Sequence, residues 1–146
     1  MSEQIDETDR ALIAALAENA RVPVADLARR LGLARTTVQA RIDRLETRGA
    51  IAGYTLKRGP GLRPALRATV LISVEPRATA AVLSRLKLLT AVETVHTTSG
   101  RFDLIAQVTA DTTEALDRTL DAIGEAKGVK GSESLIHLST KIDRAG

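Results

Sequence analysis

Residues 24–49 read VADLARRLGLARTTVQARIDRLETRG, and this stretch decides the architecture of the first third of the chain. Val24, Leu27, Ala28 and Leu31 recur at i, i+3, i+4 and i+7, the inner face of a helix that opens near Pro23 and stops at Gly32. Val38, Ile42 and Leu45 set the inner face of a second helix, which stops at Gly49. The junction GLA at 32–34 is short, and Gly32 relieves its tight turn. Two short helices at this spacing form a helix-turn-helix.

The outer face of the second helix follows from its inner one. With Val38, Ile42 and Leu45 turned inward, Arg35, Thr36, Thr37, Gln39, Arg41 and Arg44 point away from the core. Arginine offers bidentate donors to guanine, and Gln39 offers an amide fork to adenine. Thr36 and Thr37 can meet a thymine methyl or a phosphate, while Arg44 and Arg48 suit phosphate clamping. Charge along the chain agrees. Residues 1–20 carry −4, whereas residues 21–58 hold nine basic against three acidic side chains, and residues 61–146 are nearly balanced. A local basic block built mostly of arginine fits a polyanion, and with the exposed helix face it points to double-stranded DNA.

Upstream, Asp6 can cap a helix carrying Leu12, Ile13, Leu16 and Ala20 on one side, with Glu7 and Asp9 in the first turn complementing the helix dipole. Downstream, IAGYTLKR at 51–58 has a strand's composition, with Ile51, Tyr54 and Leu56 available to cover the helix ends, and is expected to form a wing. Gly59, Pro60, Gly61 and Pro64 then mark a linker over 59–65. Beyond it the period changes to two. Ala68, Val70, Ile72 and Val74 alternate with polar or outward residues until Pro76, a helix runs through Val82, Leu86 and Leu89, and two strands at 92–98 and 102–109 flank the turn SGRFD. A helix with Leu116, Leu120 and Ile123 follows, and Ser134 to Ile142 alternates as a last strand. The order β-α-β-β-α-β is ferredoxin-like, so the fold class is α+β. Both helices then cover one sheet face and leave the other partly apolar, a face that needs a partner.

Several function classes are excluded by what the chain lacks. It has no cysteine and only His96 and His137, which removes disulfides and thiolate metal sites and leaves no expected metal or cofactor. No Gly-rich phosphate loop, HExxH or Ser/His/Asp arrangement emerges, so no catalytic residue is expected and the chain does not read as an enzyme. No apolar run approaches a membrane span, and the opening MSEQIDETDR is acidic where a signal peptide is basic and then apolar, so the expected compartment is the cytoplasm.

Residues 5–56 resemble the N-terminal domain of the Lrp/AsnC family of feast-or-famine transcription regulators. The marks are the Asp6/Asp9 opening, the LARRLGLARTTVQARIDRLE core, the RGAIAGY stretch and, far downstream, SGRFD at 99–103 followed by KGVKGSES at 127–134. The resemblance implies a C-terminal module that dimerises through its sheet and binds a small effector, often an amino acid, between dimers. It also implies a homodimer assembling to a higher even state such as an octamer. By the same resemblance the effector lies where Ser99, Gly100, Arg101, Phe102 and Asp103 of one dimer meet the last strand, Ser139 and Thr140, of a neighbour. Chemistry at that turn fits a zwitterion: Gly100 permits close backbone approach, turn N–H groups can receive a carboxylate, and Asp103 either takes an ammonium group or only caps the turn.

Two departures stand out. Many members place Ser and then Pro at the start of the recognition helix, where this chain has Ala34 and Arg35, so the side-chain N-cap is lost and the target sequence cannot be copied from a relative. Tyr54 and Phe102 are the only aromatic residues, which disfavours aromatic effectors and favours small aliphatic or polar amino acids. The reading is a winged helix-turn-helix at 1–58, a linker at 59–65 and a ferredoxin-like effector and oligomerisation domain at 66–146, together a sequence-specific DNA-binding regulator. The alternatives are an allosteric subunit that acts on an enzyme through a protein-interaction N-terminal domain, and a small ferredoxin-like enzyme.

Overall fold

A computed structural model describes residues 4–144. The chain divides into two compact units between Lys57 and Arg58.

The first unit is three helices, α1 (Glu7–Glu18), α2 (Val24–Leu31) and α3 (Arg35–Thr47). Asp6 caps α1 through a reciprocal capping box. Its Oδ1 accepts the Asp9 N–H at 2.8 Å, and the Asp6 N–H donates to Asp9 Oδ2 at 3.3 Å. Pro23 precedes α2, and Gly32 ends it in the left-handed conformation at φ 66°, after which the Leu33 N–H closes on the Ala28 carbonyl at 2.9 Å. Leu12, Leu27, Ala28, Val38 and Ile42 form the buried core, with Leu16, Val24 and Leu31 partly buried against it, whereas Ala20, expected on the same side of α1, lies beyond the helix end at Glu18 and is exposed. The Ala34 side chain gives α3 no cap.

The expected wing is corrected. Residues 51–59 form no strand, and Tyr54 and Leu56 stay exposed. Within this chain the segment has no neighbouring strand to satisfy its N–H and C=O groups, and composition alone cannot supply one. The segment is instead held at its start, by the Ile51 N–H on the Leu45 carbonyl at 3.0 Å and by the Tyr54 hydroxyl on Glu46 Oε1 at 2.8 Å. The following stretch contains one 3-10 turn, Pro60–Leu62.

The second unit is β1 (Leu66–Val74), α4 (Thr79–Leu86), β2 (Val92–Thr97), β3 (Leu104–Ala110), α5 (Thr113–Glu125) and β4 (Val129–Ile136). Its antiparallel sheet has the order β2-β3-β1-β4, the βαββαβ arrangement read from the alternation. Ala68, Val70, Ile72 and Val74 of β1 and Leu104, Ala106 and Val108 of β3 pack against Val82 and Leu86 of α4 and Leu116 and Ile123 of α5. Thr69, Leu71, Ile105 and Gln107 alternate with them and so line the opposite face.

The last strand is shifted from its expected place. It begins at Val129 and ends at Ile136, whereas the alternation continues to Ile142. A strand lasts only as long as its neighbour offers hydrogen bonds. Ile136 pairs with Ala68, the His137 N–H donates to the Arg67 carbonyl at 2.8 Å, and β1 begins at Leu66, so β1 offers no strand partner to residues 138–142. Leu138 is consequently 95% exposed.

Candidate nucleic-acid interface and effector turn

Helix α3 owes its orientation to Val38, Ile42 and Leu45, all buried. That leaves Arg35, Thr36, Thr37, Gln39, Arg44 and Arg48 exposed. Thr36, Thr37, Ala40, Arg41 and Arg44 line a shallow, open concavity of ≈ 370 Å³. Gln39 and Arg41 are each held by neighbouring side chains. Gln39 Nε2 donates to Asp43 Oδ1 at 2.8 Å, one helical turn on, so its amide fork is already oriented along the helix. Arg41 turns away from the exposed row. Its Nη1 donates to Asp6 Oδ2 at 2.7 Å and to Asp9 Oδ1 at 3.0 Å, tying the middle of α3 to the first turn of α1. Arg41 is only 24% exposed and the Asp9 side chain 2%.

The electrostatics follow from that contact. The hydrogen bond from the Arg41 guanidinium, with that from the Asp9 N–H, holds the Asp6 carboxyl below its usual range. The two carboxylates in turn raise the Arg41 pKa. Near the end of α3, partial desolvation of the hydroxyl and its hydrogen bond to Glu46 push the Tyr54 pKa above its ordinary value.

The turn between β2 and β3 is tightly organised. The Thr98 N–H donates to the Asp103 carbonyl at 3.0 Å, and the Thr98 hydroxyl donates to the Phe102 carbonyl at 2.7 Å. Gly100 takes φ 130°, where a side chain would be strained. Asp103 joins this turn to β1: its N–H donates to the Ile72 carbonyl at 2.9 Å, and its Oδ2 accepts the Val74 N–H at 2.8 Å. One carboxylate oxygen therefore fastens the turn. The Arg101 guanidinium lies 5.1 Å from the Phe102 ring centroid and 3.9 Å from Glu133 of β4. Ser99 is exposed beside them.

Ser139 and Thr140 do not lie on the last strand as expected; they follow it in an exposed, irregular segment. Nor does one chain bring them to the turn. The turn is bonded to Ile72 and the segment leaves from Arg67, a separation of roughly 17 Å along β1 at about 3.3 Å per residue.

Sequence reasoning missed the roles of Asp6 and Asp9 as receptors for Arg41 and of Asp43 as the clamp on Gln39. The second was visible as an i,i+4 spacing. The first left no local signal, because its partners are more than thirty residues apart. Among the described residues no cluster of three or more His, Asp or Glu side chains could hold a metal ion, and no helix is long and apolar enough to cross a membrane.

A three-helix unit presenting an arginine-bearing helix, followed in one chain by a βαββαβ unit, defines a helix-turn-helix transcription regulator. Residues 5–46 match the AsnC-type helix-turn-helix domain, and residues 67–146 match the Lrp/AsnC ligand binding domain. The chain is 31% identical to the HTH-type transcriptional regulator FL11 of Pyrococcus abyssi over 96% of its own length and 93% of the relative's. It superimposes on AsnC of E. coli with a TM-score of 0.88 at 26% identity, over 97% of each chain. It is likewise similar to the feast or famine regulatory protein of M. tuberculosis, solved in complex with L-methionine, with a TM-score of 0.85 and 30% identity over 98% of each chain. The chain belongs to the Lrp/AsnC family. It is a transcriptional regulator that binds DNA through its helix-turn-helix, and not an enzyme.

Proposed function

We propose that this regulator reads duplex DNA in a sequence-specific way with the outer face of α3 and adjusts its affinity to a small amino acid. The domain at 1–58 carries the DNA contacts, 59–65 links, and 66–146 senses the effector and assembles the protein in the cytoplasm. The observation that carries the reading is the exposed row Arg35, Thr36, Thr37, Gln39 and Arg44 beside buried Val38, Ile42 and Leu45. Arg35 and Gln39 read base edges; Thr36, Thr37, Arg44 and Arg48 hold phosphates.

The effector sits at the turn Ser99, Gly100, Arg101, Phe102 and Asp103, completed by Ser139 and Thr140 of a neighbouring dimer. The L-methionine in the M. tuberculosis relative supports an amino acid as the class. Asp103 Oδ1 takes the ammonium group while Oδ2 keeps its bond to Val74, and turn N–H groups take the carboxylate. The open sheet face with Leu71 and Ile105 pairs two copies, and dimers assemble to a higher even state such as an octamer. A ligand that fits one assembly better shifts DNA affinity through that preference.

The test selects duplexes from a random pool with the wild-type protein and remeasures them with Arg35→Ala and Gln39→Ala. Each change is expected to cost about 1–3 kcal/mol on the selected duplex and to relax preference at one position. Unchanged footprints in both and in their double variant refute the assignment of this helix. Calorimetric titration with the twenty amino acids tests the effector class, which fails if none binds at millimolar concentration.

A further inference from the structure

The contact between Arg41 and the start of α1 uses every oxygen of two carboxylates. Asp6 gives Oδ1 to the Asp9 N–H and Oδ2 to Arg41; Asp9 gives Oδ2 to the Asp6 N–H and Oδ1 to Arg41. The capping box and the guanidinium site are thus one structure. Asp9 is the buried charged side chain among the described residues, 1% exposed, and a carboxylate in that position is costly without a charged partner. Arg41 supplies that partner.

Geometry makes this more than neutralisation. Val38 and Ile42 pack α3 against Leu12 of α1 and Leu27 and Ala28 of α2, and such aliphatic contacts are not directional. A guanidinium N–H on two fixed oxygens at 2.7 and 3.0 Å is directional. One residue of helix corresponds to a rise of about 1.5 Å, and base-edge hydrogen bonds fail with displacements smaller than that. A polar pin between α1 and α3 therefore has consequences for what α3 can read. Charge points the same way: Arg41 with Asp6 and Asp9 sums to −1, so the group has no spare positive charge to offer a phosphate, although it borders the same concavity as Thr36 and Arg44.

We propose that Arg41 is a positioning residue, with the Asp6–Asp9 capping box as its receptor, that fixes α3 against α1 and so sets sequence preference without itself contacting DNA. This rests on the reading of α3 as the DNA-reading helix.

The experiment uses the full chain and two duplexes of equal length, one selected by the wild type from a random pool and one unrelated, across a range of salt. Arg41→Gln is expected to reduce the preference for the selected duplex on the order of ten-fold, as for one lost base contact, with the salt slope unchanged. Arg41→Lys, which keeps the positive charge facing the two carboxylates, is expected to recover most of the preference. The double variant Asp9→Asn with Arg41→Gln leaves no unpaired buried charge; it is expected to melt near the wild type and still show the reduced preference. That readout separates positioning from a merely structural role, and it stands in for Arg41→Gln should the single variant unfold. The proposal is overturned if Arg41→Gln weakens both duplexes alike and lowers the salt slope by about 0.9, the mark of a phosphate contact. It is equally overturned if the folded double variant keeps wild-type preference. A wild type that selects no duplex refutes the reading of α3 instead and removes the proposal with it.

Discussion

Replacing Asp103 by alanine and by asparagine separates its observed structural contact from its proposed contact with the effector. Asp103 Oδ2 accepts the Val74 N–H at 2.8 Å, and Val74 is 8% exposed, so alanine leaves a nearly buried donor without its partner. A hydrogen bond to an ionised group contributes about 1.5–3 kcal/mol; with Asp103 itself exposed, about 1–2 kcal/mol is expected here. For a unit of this size that lowers Tm by roughly 4–16 °C. Asparagine keeps an oxygen in the same position and is expected to retain most of the stability, while losing the charge proposed to hold the effector's ammonium. Calorimetric melting of the full chain, amide exchange at Val74 and titration with the amino acid that binds wild type best provide the three readouts. Alanine that changes neither Tm nor Val74 exchange refutes the structural role. Asparagine that binds the effector as wild type does refutes the ammonium contact.

Gly128→Ala is expected to destabilise the second unit by about 2–5 kcal/mol, since it combines backbone strain with overpacking. Gly128 has φ 101°, and an added Cβ would stand 2.7 Å from Ala78 Cβ and 3.0 Å from Val82 Cγ2; an unchanged urea midpoint would contradict this. Ala34→Ser supplies the side-chain cap α3 lacks and is expected to stabilise the first unit by about 0.5–2 kcal/mol, seen as a higher melting temperature. The Asp6 carboxyl, held below its ordinary pKa of 3.8 by Arg41, is bound to fewer protons in the folded than in the unfolded chain around that pH. Its contribution is therefore present above about pH 4 and lost as pH falls through the lower folded value. Arg41→Gln is expected to flatten that acid limb of the stability profile, measured by denaturant unfolding at successive pH values.

Local pattern carried most of the architecture. Asp6 before an apolar period, Gly32 between two short periods and the change of period at residue 66 each correspond to an observed boundary, because capping, left-handed turns and side-chain alternation act within a few residues. The two failures share a cause. Within the chain, IAGYTLKR has strand composition but no strand paired with it, and the alternation through Ile142 outlasts β1, the strand that β4 pairs with. A strand is a property of two segments, and sequence pattern describes one.

The same division holds at the site. The exposed face of α3 and the turn Ser99–Asp103 are legible because helical period and turn chemistry select them before any fold is formed. What the sequence by itself determined is which side chains are offered: the arginines, Thr36, Thr37, Gln39 and the glycine turn. What only the tertiary structure decided is which of them are already taken. Arg41 is bound to Asp6 and Asp9, and Asp103 is bound to Val74. Those partners are separated by about thirty residues in sequence and meet only when hydrophobic burial has packed α1 against α3 and β3 against β1, bringing donors to acceptors that no local rule connects.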